Sequence, residues 1–331
     1  MQTTHASYCD YYGTVVKFPS QLSLDGTKCF SLFEEANQCK PDANGGTAPT
    51  FPRRMKQKEL PPPLPHTARV VVISDTHTRH REMTVPAGDI LLHCGDVQDG
   101  FAILNREKNL KDFFRWFSDV DLHPHAIKVV IAGNHDSMLR NKSVEAIRKL
   151  AAPALYLQEE SCVIQPIGLR LYGTPRSVSN SRLSPNTAFQ SSSSWAPFAI
   201  DPTETSVEAS TEETAMNGEV LWHVELEGRV PRGPVDILLT HQSLESVARC
   251  PYAKQRIVGY VQDVAPQSLH VCGHLHGARG FHRVPLPQKK KKEEATEEPT
   301  RPFIPSINAA MLLREGLKEV VQAPAVVDIE L

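Results

Sequence analysis

Five short blocks hold the residues of this chain best suited to chemistry: Asp75-Thr-His77, Gly95-Asp96, Gly133-Asn134-His135-Asp136, His241 and Gly273-His274-Leu-His276. Together they offer carboxylates, an amide oxygen and imidazoles, the donor set of a two-metal hydrolytic site. Hydrolysing a phosphate ester near neutral pH requires a strong nucleophile and charge to stabilise the attacked phosphoryl oxygens. Two divalent ions about 3.5–4 Å apart supply both, by making hydroxide from water between them and clamping the phosphate. Such a pair needs a shared ligand, and a carboxylate has two oxygens and a charge. Asp96, alone between the outer blocks, is the candidate bridge. Asp75 and His77 converge on one metal if the turn after their strand redirects them, and Asn134, His241, His274 and His276 complete the ligand set. Oxygen and imidazole donors without thiolate suit Mn, Fe, Zn or Ni better than Cu(I) or an all-oxygen Ca cage. His135 directly follows a candidate ligand, so its side chain points elsewhere. A free imidazole there is a candidate to protonate the leaving oxygen, because its ordinary pKa lies near working pH.

Each block sits at or just beyond an apolar run. Val70–Ile73 precedes Asp75, Ile90–Leu92 precedes Gly95-Asp96, and Ile127–Ile131 precedes Gly133. Val235–Leu239 leads to His241, and Leu269–Cys272 leads to Gly273. Continuous runs of this length read as strands buried on both faces. Between them, Phe101–Val120 places Leu104, Leu110, Phe113, Phe114 and Phe117 mainly on one side of a helix. Ser143–Ala151 does the same with Val144, Ile147 and Leu150, and Ser143 is its N-cap. Strand, loop and helix in alternation predict an α/β protein, whose ligands bind beyond the carboxyl ends of the strands. Gly95, Gly133 and Gly273 suit sharp turns with close backbone approach. Cys162–Gln165 and Leu169–Tyr172, joined through Pro166-Ile-Gly168, read as a hairpin.

The 331 residues suffice for a large core, and 36 Lys and Arg nearly balance 38 Asp and Glu, so no strong field favours nucleic acid or membrane. Seven scattered Cys without a CxxC pair indicate reduced thiols, with Cys94 and Cys272 as small buried strand residues. Met1–Tyr12 lacks a basic and an apolar segment, and no run approaches the roughly 18 apolar residues of a membrane span. A soluble cytoplasmic protein is the default expectation. Residues 1–68 read as an extension closing on the stiff spacer Pro61-Pro-Pro-Leu-Pro65, and 69–331 as the main domain. Two stretches look inserted, near 177–219 and 286–300. The first, rich in Ser, Thr and Pro, is either a mobile loop near the site or surface padding. The second contains KKKKEEATEE, a solvated loop, with nuclear import through Lys289–Lys292 as the competing reading.

In their order the blocks resemble the signature of the calcineurin-like metallophosphoesterase superfamily, D-x-H, GD, GNH[DE], H and GHxH, over about residues 69–285. The resemblance implies a four-layer α/β fold, a central sandwich of two mixed β-sheets flanked by helices, with a dinuclear site. It implies that Asp75, His77, Asp96 and His276 bind one metal. Asp96, Asn134, His241 and His274 would bind the second, and His135 would be the catalytic histidine. Within the superfamily, Gly88–Asp96, Ile131–His135 and the tail Ile307-Asn308-Ala … Pro324–Asp328 are similar to the metallophosphoesterase domain-containing group. That similarity implies hydrolysis of phosphodiesters, including cyclic nucleotides, with Mn as the usual activator and a small phosphoester as partner. The Ser/Thr protein phosphatases carry an Arg shortly after the GD block, where Gly100 stands here, which argues against that activity. The competing class is a non-enzymatic scaffold on the same fold. Such loss shows as substituted ligands, and none is visible. A nuclease is disfavoured by the lack of a basic groove signature.

Other residues are weighed against blander roles. Arg176, after Gly173-Thr-Pro175, is a candidate substrate contact facing the cleft alongside Asn134 and His135. His93 is expected to pack or hydrogen-bond behind the site, and Asp136 to orient a neighbouring His. Arg79, His80 and Arg81 read as a solvated loop, with a phosphate contact as the alternative. His123 and His125 around Pro124 read as surface residues, and Trp116 as core.

Overall fold

Runs of Val, Ile and Leu make the strands that carry the site, and their alternation decides what each face touches. The structure is a computed structural model that describes residues 7–9, 13–18, 63, 65–100, 105–178, 184–190, 211–217, 220–245, 252–286, 303–315, 318–322 and 324–331. In chain order the strands are β1 (Ser7–Cys9), β2 (Gly13–Phe18), β3 (Thr67–Ile73), β4 (Ile90–Cys94), β5 (Ile127–Ile131) and β6 (Leu155–Tyr156). They continue with β7 (Glu160–Gln165), β8 (Leu169–Thr174), β9 (Thr211–Asn217), β10 (Val220–Gly228), β11 (Ile237–Thr240) and β12 (Leu269–Cys272). The last are β13 (Gly280–Pro285), β14 (Phe303–Asn308), β15 (Leu312–Glu315), β16 (Lys318–Val321) and β17 (Ala325–Glu330). Among the described residues four α-helices accompany them: α1 (Arg106–Ser118), α2 (Ser137–Arg140), α3 (Val144–Ala151) and α4 (Tyr252–Val264).

Among the described residues two mixed sheets result, with strand orders β1-β2-β17-β3-β4-β5-β6 and β13-β14-β12-β11-β8-β7-β10-β9, beside a two-stranded pair β15-β16. β3, β4, β5 and β6 are parallel, as are β8, β11, β12 and β14. Because side chains alternate along a strand, Val70, Val72, Ile90, Leu92, Val129 and Ile131 point inward. There they meet Leu171, Ile237, Leu239, Leu269 and Val271 of the second sheet. Val71, Ile73, Leu91 and Val130 point outward onto Phe113 and Phe117 of α1 and Ile147 of α3. On the far side Leu238 and Ile304 meet Ile257 and Val261 of α4. Helix, sheet, sheet, helix is the four-layer α/β architecture expected. The hairpin is also found, β7 pairing antiparallel with β8. Ser143 caps α3, its hydroxyl accepting the Ala146 N–H at 3.3 Å.

Several sequence expectations are corrected. The first helix begins at Arg106, since Asn105 at φ 62° is non-helical; the 101–104 part lies outside the described residues. His123 and His125 are buried, because the turn after α1 tucks beneath Trp116, whose ring centroid lies 4.5 Å from that of His123. His80 is buried too, 5.0 Å from the Trp116 ring and hydrogen-bonded to Asp112 at 3.1 Å. Trp116, Cys94 and Cys272 are core residues as expected. The segment Lys289–Glu298 lies outside the described residues. Among the described residues no helix is long and apolar enough to cross a membrane.

Candidate metal centre

The parallel strands β3, β4, β5, β11 and β12 end on one side, and their loops hold every candidate ligand. Beyond the strand ends the pairing continues into the loops: Asp75 N–H donates to Gly95 O at 2.9 Å, His77 N–H to Asp96 O at 3.1 Å, and Thr78 N–H to Val97 O at 2.9 Å. The turn that redirects the first block is visible in the backbone. Asp75 (φ 54°), His77 (φ 40°), Asp96 (φ 58°) and His274 (φ 70°) all occupy the left-handed region. Residues with a Cβ rarely adopt it, and such strain gathers where side chains must converge.

Two clusters form. In the first, His276 Nε2 lies 3.4 Å from Asp75 Oδ1, His77 Nε2 lies 3.9 Å from it, and the two Nε2 atoms are 3.2 Å apart. In the second, His241 Nε2 lies 3.3 Å from Asp96 Oδ2 and 3.0 Å from Asn134 Oδ1. His274 joins it, its ring centroid 4.9 Å from that of His241. Asp96 Oδ2 also faces His77 and His135, each at 3.9 Å, so this one oxygen stands between the clusters. Asp96 Oδ1 is occupied, accepting the His135 N–H at 2.8 Å. His135 and His276 lie on the exposed side, whereas Asp75, Asp96 and His241 are buried.

The donor chemistry fits a cation. His77 Nδ1 faces Gln98 O at 2.9 Å and His241 Nδ1 faces Cys94 O at 2.9 Å. A carbonyl can only accept, so each Nδ1 carries a proton and each neutral ring turns the lone pair of Nε2 inward. Lone pairs and carboxylate oxygens then face one another across each cluster, an arrangement that a divalent ion satisfies. Without one, a proton fills the gap. Burial opposes charge on His241, yet the Asp96 and Asp75 carboxylates overcome it and push its pKa up to about 9. Burial also works to raise Asp75 and Asp96, but neighbouring His276 and His241 hold both well below the usual carboxylate range. His274, half-buried beside His241, is pushed down to about 3 by desolvation. Burial likewise lowers His135, against the pull of Asp96.

The surrounding residues show what the sequence concealed. Asp136 does not orient a histidine. Its carboxylate accepts the main-chain N–H groups of Asp96 (3.0 Å), Val97 (3.3 Å), Gln98 (2.9 Å) and Gly133 (2.8 Å), fastening the GD loop. Burial and the Asp96 charge raise its pKa to about 7. His93 does pack behind the site, within 3.1 Å of Thr76 Oγ1 and accepting the Gly95 N–H at 3.2 Å. Arg176 is held by both carboxylate oxygens of Glu159. Arg79 pairs with Glu82 and Arg81 with Asp112. Gly273 and Gly133 are needed for closeness. A Cβ on Gly273 would stand 2.2 Å from Asp75 Oδ2, and one on Gly133 2.2 Å from Asp96 Oδ1. Asn186, from the segment read as an insertion, also reaches the site, and no signal in its neighbourhood marked it.

A sandwich of two mixed sheets with two His/Asp clusters at one set of strand ends defines a metal-dependent phosphoesterase class of site. Residues 68–278 match the calcineurin-like phosphoesterase family, and the chain belongs to it. It is 27% identical over 253 residues to metallophosphoesterase domain-containing protein 1 of Homo sapiens and, equally, of Mus musculus. The match covers 66% of this chain and 65% of each relative, so the chain spans a little under two thirds of their length. The crystal structure of TT1561 from Thermus thermophilus superposes with a TM-score of 0.36 at 10% identity, covering 66% of this chain and 84% of that one.

Proposed function

We propose that this chain hydrolyses phosphodiesters at a dinuclear centre, with residues 69–331 as the catalytic domain and 1–68 as an extension. The supporting observation is Asp96 Oδ2, placed between two clusters of inward-facing lone pairs. Asp75, His77, Asp96 and His276 would hold one ion, and Asp96, Asn134, His241 and His274 the other, with Mn favoured among Mn, Fe, Zn and Ni. Such ions supply an activated water and neutralise phosphoryl charge. The chain's own residues do the rest. Main-chain bonds from His274 to Asp75 and from His135 to Asp96 fix the carboxylates. His135, on the open side, stabilises charge on the leaving oxygen by donating a hydrogen bond from its ring N–H, and Asn134 and His135 border the substrate. Arg176 enters the substrate contacts only by exchanging Glu159 for a phosphate.

A diester suits this surrounding better than a monoester, because it carries one negative charge fewer and the nearby guanidiniums of Arg79, Arg81 and Arg176 are already matched by carboxylates. Gly100 supports the same preference. A Cβ there would stand 2.0 Å from the end of the Asn186 amide and 2.7 Å from His135 Nδ1, leaving no room for the arginine of protein phosphatases. Metal-reconstituted protein should hydrolyse bis-p-nitrophenyl phosphate faster than p-nitrophenyl phosphate, and Asp96→Asn should lower turnover by orders of magnitude with the fold retained. Near-full activity of Asp96→Asn would overturn the proposal. Metal-loaded protein inert on all esters would favour the scaffold.

A further inference from the structure

Asn186 is buried and touches both residues that follow β5 into the site. Its main-chain carbonyl accepts from Asn134 Nδ2 at 3.2 Å, which turns Asn134 Oδ1 toward His241. Two residues on, Ala188 N–H donates to Asn134 O at 3.1 Å. Asn186 Nδ2 lies 3.3 Å from His135 Nε2, on the opposite edge of the ring from Gly100, whose N–H donates to Nδ1 at 3.1 Å. The ring is therefore gripped at both nitrogens. Gly100 N–H can only donate, so Nδ1 accepts and the neutral ring carries its proton on Nε2; Nδ2 would set donor against donor there, so the Asn186 amide is assigned the other way round and offers its oxygen.

We propose that Asn186 is a positioning residue for the reaction: its side-chain amide aims His135 Nε2 into the site, while its main chain sets the Asn134 amide. The proposal rests on the role given to His135 above. The division of labour within one residue is what makes it testable. Deleting the side chain releases His135 but leaves the carbonyl that orients Asn134. Asn186→Asp keeps an oxygen that can accept from Nε2, whereas Asn186→Ala keeps none.

A neutral imidazole keeps its proton and acts by hydrogen-bonding the leaving oxygen through Nε2–H, so its aim matters most when that oxygen is most basic. Three phosphodiesters, with p-nitrophenolate, phenolate and alkoxide leaving groups, should separate this role from general damage. For Asn186→Ala, kcat is expected to fall about 10-fold or more for the phenol and alcohol esters and little for the p-nitrophenyl ester, an effect within the usual span for a positioned proton donor. Asn186→Asp should recover most of it. Metal content should equal wild type, and proton–nitrogen correlation spectra of the metal-free protein should show His135 losing its single Nε2–H tautomer. In a His135→Ala background, Asn186→Ala should add nothing.

A uniform loss across the three esters, a loss of bound metal, or an additive double variant would overturn the proposal while leaving the function of the site intact. If His135→Ala alone retains full activity, the role of His135 falls, and this inference falls with it. An Asn186→Ala variant that fails to fold leaves Asn186→Asp to decide: wild-type leaving-group dependence supports the proposal, and selective loss on the alcohol ester refutes it.

Discussion

Removing the Asp136 carboxylate should unfasten the loop that carries Asp96, at a cost the structure allows to be ranked. Oδ2 accepts from Asp96, Val97 and Gly133, and Oδ1 accepts from Gln98, all in a buried setting. With its pKa raised to about 7 by burial and Asp96, the carboxylate is only partly charged near neutral pH in the metal-free protein, so a neutral-bond figure is a lower bound for each contact. At about 1 kcal/mol net for each of four bonds, Asp136→Ala loses about 4 kcal/mol. Stranded donors raise that figure, and loop movement with water entry lowers it. Asp136→Asn keeps one oxygen able to take the three bonds of Oδ2 but turns an NH2 toward the Gln98 N–H, for a cost of about 1–2 kcal/mol. Against a total stability of about 5–15 kcal/mol, both are measurable. Urea unfolding of metal-free protein, followed by tryptophan fluorescence, should rank wild type above Asn above Ala. Competition with a fluorescent chelator should show weaker metal binding in the same order, about 10-fold or more for Ala, because the loop sets Asp96. Variants within about 0.5 kcal/mol of wild type would refute the fastening role, since four lost buried bonds cannot be neutral.

Gly273→Ala should lose metal while keeping the fold, since its Cβ would meet Ser74 Oγ at 2.0 Å and Asp75 Oδ2 at 2.2 Å; metal analysis showing full occupancy would contradict this. Adding Mn to chelator-treated protein should raise the melting temperature by several degrees, because saturation at 1,000 times Kd contributes about 4 kcal/mol; Asp96→Asn should gain much less. Stability should also fall with acid. Burial lowers the pKa of His123 to about 4 and of His125 to about 3, so between pH 6.5 and those values the unfolded chain binds protons that the folded chain refuses. Their contribution is complete above pH 6.5 and declines below it, with a slope of up to about 1.4 kcal/mol per pH unit for each. A His123→Gln/His125→Gln variant with the wild-type slope in urea unfolding would show that other groups dominate.

Much of this protein was legible in the order of its residues. Apolar runs ending in Asp, Asn and His specify buried strands with candidate ligands at their tips, because a parallel strand covered on both faces must be continuously apolar and its polar residues can only begin where it stops. Hence Asp75, His77, Asp96, Asn134, His241, His274 and His276 were nameable as candidate ligands before any coordinates, as was the four-layer fold by resemblance. Other features depend on who meets whom in space. Asp136 looked like a partner for a histidine because it stands beside one in the sequence, yet it serves main-chain N–H groups about 40 residues away. His123 and His125 looked exposed beside a proline, yet both are buried, His123 against Trp116. Asn186 sits among Ser, Thr and Pro, where no periodicity or spacing distinguishes it, and it gained meaning only when its segment folded back onto Asn134 and His135. Local pattern fixes what each strand end can offer. Which distant backbone or side chain completes those offers is a matter of long-range packing, and only the tertiary structure decides it.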